Sequence, residues 1–311
     1  MNVNRVAVST AFFCQGFAFA ALITRIPAIQ DQFNFSEGGL AMILAGVPIL
    51  AGVGSVLAGL LAVRFHSAVV LRVCALIVAG GLVAVGAATT AGSFPGLLGA
   101  LALMGFGLGS VDATMNMQGI GVQAQVGRSV MASFYAWWSL ATILGAVAAS
   151  VAAATSLTLV AFFGIIAVVL IPVGLIASTR FVRSHEADEA APDPLAASAS
   201  VPWRPLLVFG FAVVLAFIID SSVSNWSALD LTDVLGATES VAALAYAAYA
   251  LFMLIGRTFA DHLVGRRGVQ WLITAGGLLA AVGLLVVAFA PTAVIAIAGF
   301  AIVGLGISPV L

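Results

Sequence analysis

Residues 109–119, GSVDATMNMQG, set an aspartate, an asparagine and a glutamine inside a long apolar run, and Asp112 is the one charged residue between Arg72 and Arg128. The solvent of that run decides the fold. Of 311 residues, 63% are hydrophobic and 7% charged, against roughly half and about a quarter in soluble globular chains. A soluble domain of this size has too little interior to hide so much apolar surface. Apolar stretches of roughly 20 residues, long enough to cross a hydrocarbon core as a helix, recur from end to end. The chain therefore reads as an all-α, polytopic membrane protein.

Punctuation by charge, proline and glycine yields ten spans, at about 6–24, 38–62, 69–89, 94–117, 129–152, 156–178, 205–228, 240–260, 269–290 and 292–311. The longest polar stretch, 179–204, is rich in Ala, Pro, Ser and acidic residues, which suits a flexible linker. We expect a six-helix bundle over 1–178, a cytoplasmic linker over 179–204 and an incomplete bundle of helices seven to ten over 205–311. With the N-terminus in the cytoplasm, Arg5, Arg64, Arg72, Arg128, Arg180, Arg183, Arg204, Arg266 and Arg267 all fall inside, as positive charge in short loops prefers. Arg25 falls outside, and Arg257 lies near the inner end of span eight. Residues 1–24 also have the pattern of a secretory signal, but the many further spans make an uncleaved first helix the simpler reading. The last span reaches residue 311 with no polar flank, a pattern expected of a fragment.

Net charge is −1, with basic residues in ones and twos, so no nucleic-acid partner is expected. All eleven basic residues are arginines. Without lysine there is no P-loop lysine and no Schiff-base link to pyridoxal phosphate or retinal. His66, His185 and His262 fall in loops, leaving no histidine in a span to ligate haem or a metal. Cys14 and Cys74 sit in apolar runs without a CxxC framework and read as small buried hydrophobes. No cofactor or metal is expected. Nor is an enzyme, since no nucleophile, base and orienting group fall into a recognisable arrangement.

Two pairs of landmarks suggest an internal repeat. GFGLGSV (105–111) in span four and GLGISPV (304–310) in span ten, aligned on Gly-Leu-Gly at Gly107 and Gly304, are offset by 197. GLLAVRFHS from Gly59 and GRTFADHLVGRRG from Gly256 follow helices two and eight at the same offset of 197. These loops resemble the signature G-x-L-a-D-R-x-G-R of the major facilitator superfamily, whose fold joins two six-helix halves; about ten of its twelve helices are then present. The resemblance implies a loop that latches the cytoplasmic side, formed here by Arg257, Asp261, Arg266 and Arg267. The first copy departs from the pattern, with Val63 for the acid and His66 for the glycine, so its latch is in doubt. GSVDATMNMQG, with FYAWWSL (134–140) downstream, is similar to the fucose permease-like sugar:proton symporters and to a nearby bacterial inner-membrane branch. There a helix-four motif, Gly-x-(Asp or Glu)-x-x-x-Asn, supplies a titrating carboxylate and a substrate-facing amide, which by position are Asp112 and Asn116. The helix-one aspartate of those symporters falls at Ile23 here, which weakens any mechanism needing two acids in the first half.

The polar residues carry their own argument. A charge at mid-membrane costs about 2.5–3.5 kcal/mol even on the lenient insertion scale. Protonation removes that cost and gives Asp112 the means to gain and lose a proton within a cycle. Asn116, one turn on, shares its face. The alternative is an Asp112 near the inner end of helix four that reaches water or pairs with Arg128. In FIIDSSVSNW (217–226) of helix seven, Asp220 and Asn225 are binding groups or, alternatively, an outer-surface acid beside serines bonded to backbone. Trp138 on helix five and Tyr249 on helix eight can stack on a flat solute or fill the core. Arg257 and Asp261, four apart, suit a charge pair of the loop itself.

These readings lead to a monomeric secondary transporter in a bacterial cytoplasmic (inner) membrane. Two bundles alternate access to a central cavity, Asp112 exchanges a proton, and a small polar organic solute, sugar-like by analogy, binds near Asn116, Trp138, Asp220, Asn225 and Tyr249. Two other readings stay open: an exporter of amphipathic compounds, and a non-transporting membrane scaffold, receptor or inactive fragment.

Overall fold

A computed structural model of the chain describes residues 3–155, 157–182, 203–237 and 239–309. Within them the helices are α1 (Val3–Ile23), α2 (Ile26–Phe33), α3 (Glu37–Phe65), α4 (Ser67–Thr90), α5 (Phe94–Val126), α6 (Met131–Ala154), α7 (Leu159–Ser178), α8 (Trp203–Leu229), α9 (Glu239–Arg267), α10 (Val269–Ala288) and α11 (Ala293–Ile307). A π-helical turn, Asp230–Val234, follows α8, and no strand occurs among the described residues. Seven of the described helices are long and apolar enough to cross a membrane. Three shorter apolar stretches, Gly210–Val223, Leu244–Ala260 and Ala293–Ile307, stand where spans seven, eight and ten were expected. The protein is an all-α, multi-pass membrane protein.

Three boundaries differ from the sequence reading. α2 was not expected. Pro27 in its first turn presets a helical φ, and Asn34 ends it in the left-handed conformation at φ 51, as helix starts and stops commonly do. α5 runs past 117 to Val126, where Gly127 caps it at φ 68. α9 likewise runs past 260 to Arg267. In both cases polar residues suggested a membrane edge. A polar side chain ends a span only if it must seek water, and Gln118 of α5 does not. Its Nε2 donates to Ser67 Oγ at 2.8 Å and to the Val182 carbonyl at 3.2 Å, while its Oε1 accepts from the Val182 N–H at 2.8 Å.

By packing, the chain divides into two compact units: Met1–Gly127 with Trp137–Pro192, and Arg128–Ala136 with Asp193–Leu311. The short segment 128–136 thus groups with the second unit rather than with the expected bundle over 1–178. Most of the expected linker, 183–202, lies outside the described residues.

In the first unit α3 and α4 both pack on α5; in the second, α9 and α10 both pack on α11. The crossings are built alike. Gly54 of α3 lies against Phe106 and Ser110 of α5, and Ser110 Oγ donates to the Gly54 carbonyl at 3.0 Å. Gly256 of α9 lies in the same way against Ser308, just past α11. Gly105 abuts the Val47 backbone, and Gly304 abuts that of Tyr249. Two halves sharing one helix arrangement are therefore present.

Candidate functional site

Asp112 stands near the middle of α5, about 27 Å from the Phe94 end and about 21 Å from the Val126 end at 1.5 Å per residue. It is exposed, yet far from either end of the helix. No described residue hydrogen-bonds its carboxylate, and no described basic group acts on it. Asn116 does share the Asp112 face, and its Nδ2 donates to the Asp112 carbonyl at 2.9 Å. That bond orients the amide back along the helix toward the acid.

Trp138 of α6 is half-buried, its ring centroid 5.9 Å from that of Phe19. Gly16 of α1 approaches the Trp138 backbone so closely that a Cβ there would lie 2.6 Å from the carbonyl oxygen. Trp138 is therefore held by the α1–α6 contact. Two other anchors in this unit were not anticipated. Gln15 of α1 donates through Nε2 to the Leu108 carbonyl of α5 at 3.2 Å. Arg72 of α4 donates to Ser178 at the end of α7, Nε to Oγ at 2.9 Å and Nη2 to the carbonyl at 3.1 Å. Only a contact across α4 and α7 could reveal that Arg72 serves as a clamp; in sequence it is one more cytoplasmic arginine.

The second unit gathers a polar cluster. Tyr249 Oη donates to Asp220 Oδ1 at 2.6 Å, joining α9 to α8. Tyr249 is 1% exposed and Arg257, two turns on, 4%. Asp220 is half-buried and Tyr246 exposed, so the cluster opens at one side. The Tyr246 and Tyr249 ring centroids are 5.9 Å apart. The Arg257 guanidinium lies 5.5 Å from the centre of the Tyr135 ring, within the same unit, a cation–π arrangement. Asp220, Tyr135, Tyr249 and Tyr246 all act on it electrostatically. Arg257 was expected at the membrane edge in a latch; the structure sets it inside α9, among these groups. The signal was available, since YALFMLIGRTFA (249–260) puts an arginine inside an apolar run, but the assumed span end at 260 concealed it.

The side chains of Asn225 and Asp261 lie outside the described residues, so the expected roles of both are without a geometry. Arg266 and Arg267 are exposed in the last turn of α9, and the Arg267 guanidinium sits 4.6 Å from the Trp271 ring centre. Among the described residues no cluster of three or more His, Cys, Asp or Glu could hold a metal.

The Major Facilitator Superfamily description matches residues 8–311. Uncharacterized transporter y4wD of Sinorhizobium fredii is 29% identical over 309 residues, covering 98% of this chain and 79% of that protein. Membrane protein MosC of Rhizobium meliloti is 28% identical over 308 residues, covering 97% and 72%. Among solved structures, the proton:xylose symporter XylE superposes with TM-score 0.71 at 15% identity over 99% of this chain and 80% of that one. The E. coli fucose:proton symporter FucP does so with TM-score 0.71 at 15% identity over 98% and 81%. At such identities these two structures speak for the fold alone.

Proposed function

Because the chain belongs to the Major Facilitator Superfamily, we propose that it is a proton-coupled secondary transporter of a small polar organic solute, working by alternating access in a bacterial cytoplasmic membrane with its N-terminus inside. The observation that carries this reading is Asp112, an acid near the middle of a long apolar helix with no described basic partner. A carboxylate facing lipid there would be costly; one facing a wetted cavity can exchange a proton as that cavity opens to either side. Asn116, oriented along the same face, is the proposed solute contact beside it. Asp220, Asn225 and Tyr249 are the proposed contacts in the second half, with Trp138 a further aromatic surface. The two sugar:proton symporters of like fold favour a hydroxylated solute.

The test uses the whole chain in proteoliposomes loaded with a pH-sensitive dye and given a panel of sugars and sugar acids. Wild type should acidify the lumen as solute enters down its gradient. Asp112→Asn should stop solute-linked proton movement yet keep solute exchange across the bilayer. A variant with unchanged proton movement would remove Asp112 from the mechanism.

A further inference from the structure

The second unit keeps a buried cation inside α9, Arg257, with the buried Tyr249 two turns before it. A guanidinium buried there, with Asp220 the one described carboxylate acting on it, is costly to keep and marks a group with another task.

We propose that Arg257, with Tyr246 and Tyr249, is the site at which the carboxylate of an organic acid binds, and that Asp220 gates it. This rests on the transport reading above and narrows its solute to an anion, but it does not rest on Asp112. At rest Asp220 supplies the counter-charge to Arg257 while accepting from Tyr249. When Asp220 takes one proton from solvent, Arg257 loses that counter-charge and a solute carboxylate replaces it, making charge-assisted bonds to the guanidinium. One proton and one anion then occupy the site together, so the loaded cluster has the same net charge as the empty one. Half-buried Asp220 and exposed Tyr246 leave a way in. Among the described residues, the groups that bear on Asp220 are few. Tyr249 and Arg257 of α9 act on it directly, Tyr135 and Tyr246 act on Arg257, α11 carries no titratable residue, and Asp230 of the π-helical turn is not among them.

The experiment measures thermal stabilisation of the purified full chain by galacturonate, lactate and benzoate against galactose, lactamide and benzamide. It is run at about pH 5.5 and about pH 7.5, where carboxylates of this kind stay ionised. At least one acid should bind wild type at least about tenfold tighter at the lower pH than its neutral partner does. Asp220→Asn, which mimics the protonated gate, should bind that acid equally at both pH values. Arg257→Gln should lose the response, and Arg257→Lys, which keeps the charge without the planar fork, should weaken it. Equal response to acid and neutral partner, an Arg257→Gln response like wild type, or no response to any acid overturns the proposal. Should Arg257→Gln fail to fold, a persistent pH dependence in Asp220→Asn overturns it instead. Binding that persists while every solute fails to cross the bilayer would overturn transport and leave the anion site standing.

Discussion

The residues that mattered most are polar groups inside apolar helices, and their partners separate them into kinds. Gln118 is 0% exposed and has bonds from both ends of its amide. It ties the start of α4 and the chain just past α7 to α5. Gln118→Leu would strand the Ser67 hydroxyl and both backbone groups of Val182, each worth about 1–3 kcal/mol when buried without a partner. We expect unfolding of the detergent-solubilised protein to come about 2–4 kcal/mol earlier, with faster amide exchange at Val182; unchanged exchange there would show that the clamp carries no load. Asp112 is of the opposite kind, a carboxyl group with no described side-chain partner. Both were visible in GSVDATMNMQG, but a lone sequence treats an amide that binds other helices and an acid that binds none as equals, because the difference lies in neighbours far along the chain.

At the scale of elements, glycine sets where helices cross. Gly109 of α5 faces the Ala51 carbonyl of α3, a backbone atom that cannot turn aside, so any Cβ there must push the helices apart. Gly109→Ala should lower stability by about 1–3 kcal/mol, the usual cost of overpacking. Gly99→Ala in the same helix, with nothing within 4 Å of the added carbon, should leave stability unchanged. Paired thermal melts check this, and equal melting of the two variants would refute the crossing. Helix existence was legible from hydropathy for every described helix but the short α2, since about 20 apolar residues have one stable way to satisfy their backbone in lipid. Helix ends were legible where a capping serine stands, as at Ser93, whose Oγ accepts the Gly96 N–H. They were not legible at Val126 and Arg267, where glutamines and arginines continue the helix beyond its apolar stretch.

For the whole molecule, arginine placement predicts the orientation. In a background lacking Cys14 and Cys74, a cysteine replacing exposed Ala91 after α4 should react with an impermeant thiol reagent added outside intact cells. One replacing exposed Arg266 at the end of α9 should react only after the membrane is opened. The reverse pattern would invert the topology. Sequence by itself determined the class of molecule, the number and rough place of the apolar helices and the presence of two related halves, because each follows from composition or from order along one helix. It also singled out Asp112 and Asp220 as charges out of place. Tertiary structure decided that Arg72 and Gln118 hold helices together and that Arg257 belongs with Asp220 and Tyr249. Those facts depend on which helices come into contact and at what height, and local hydropathy encodes neither.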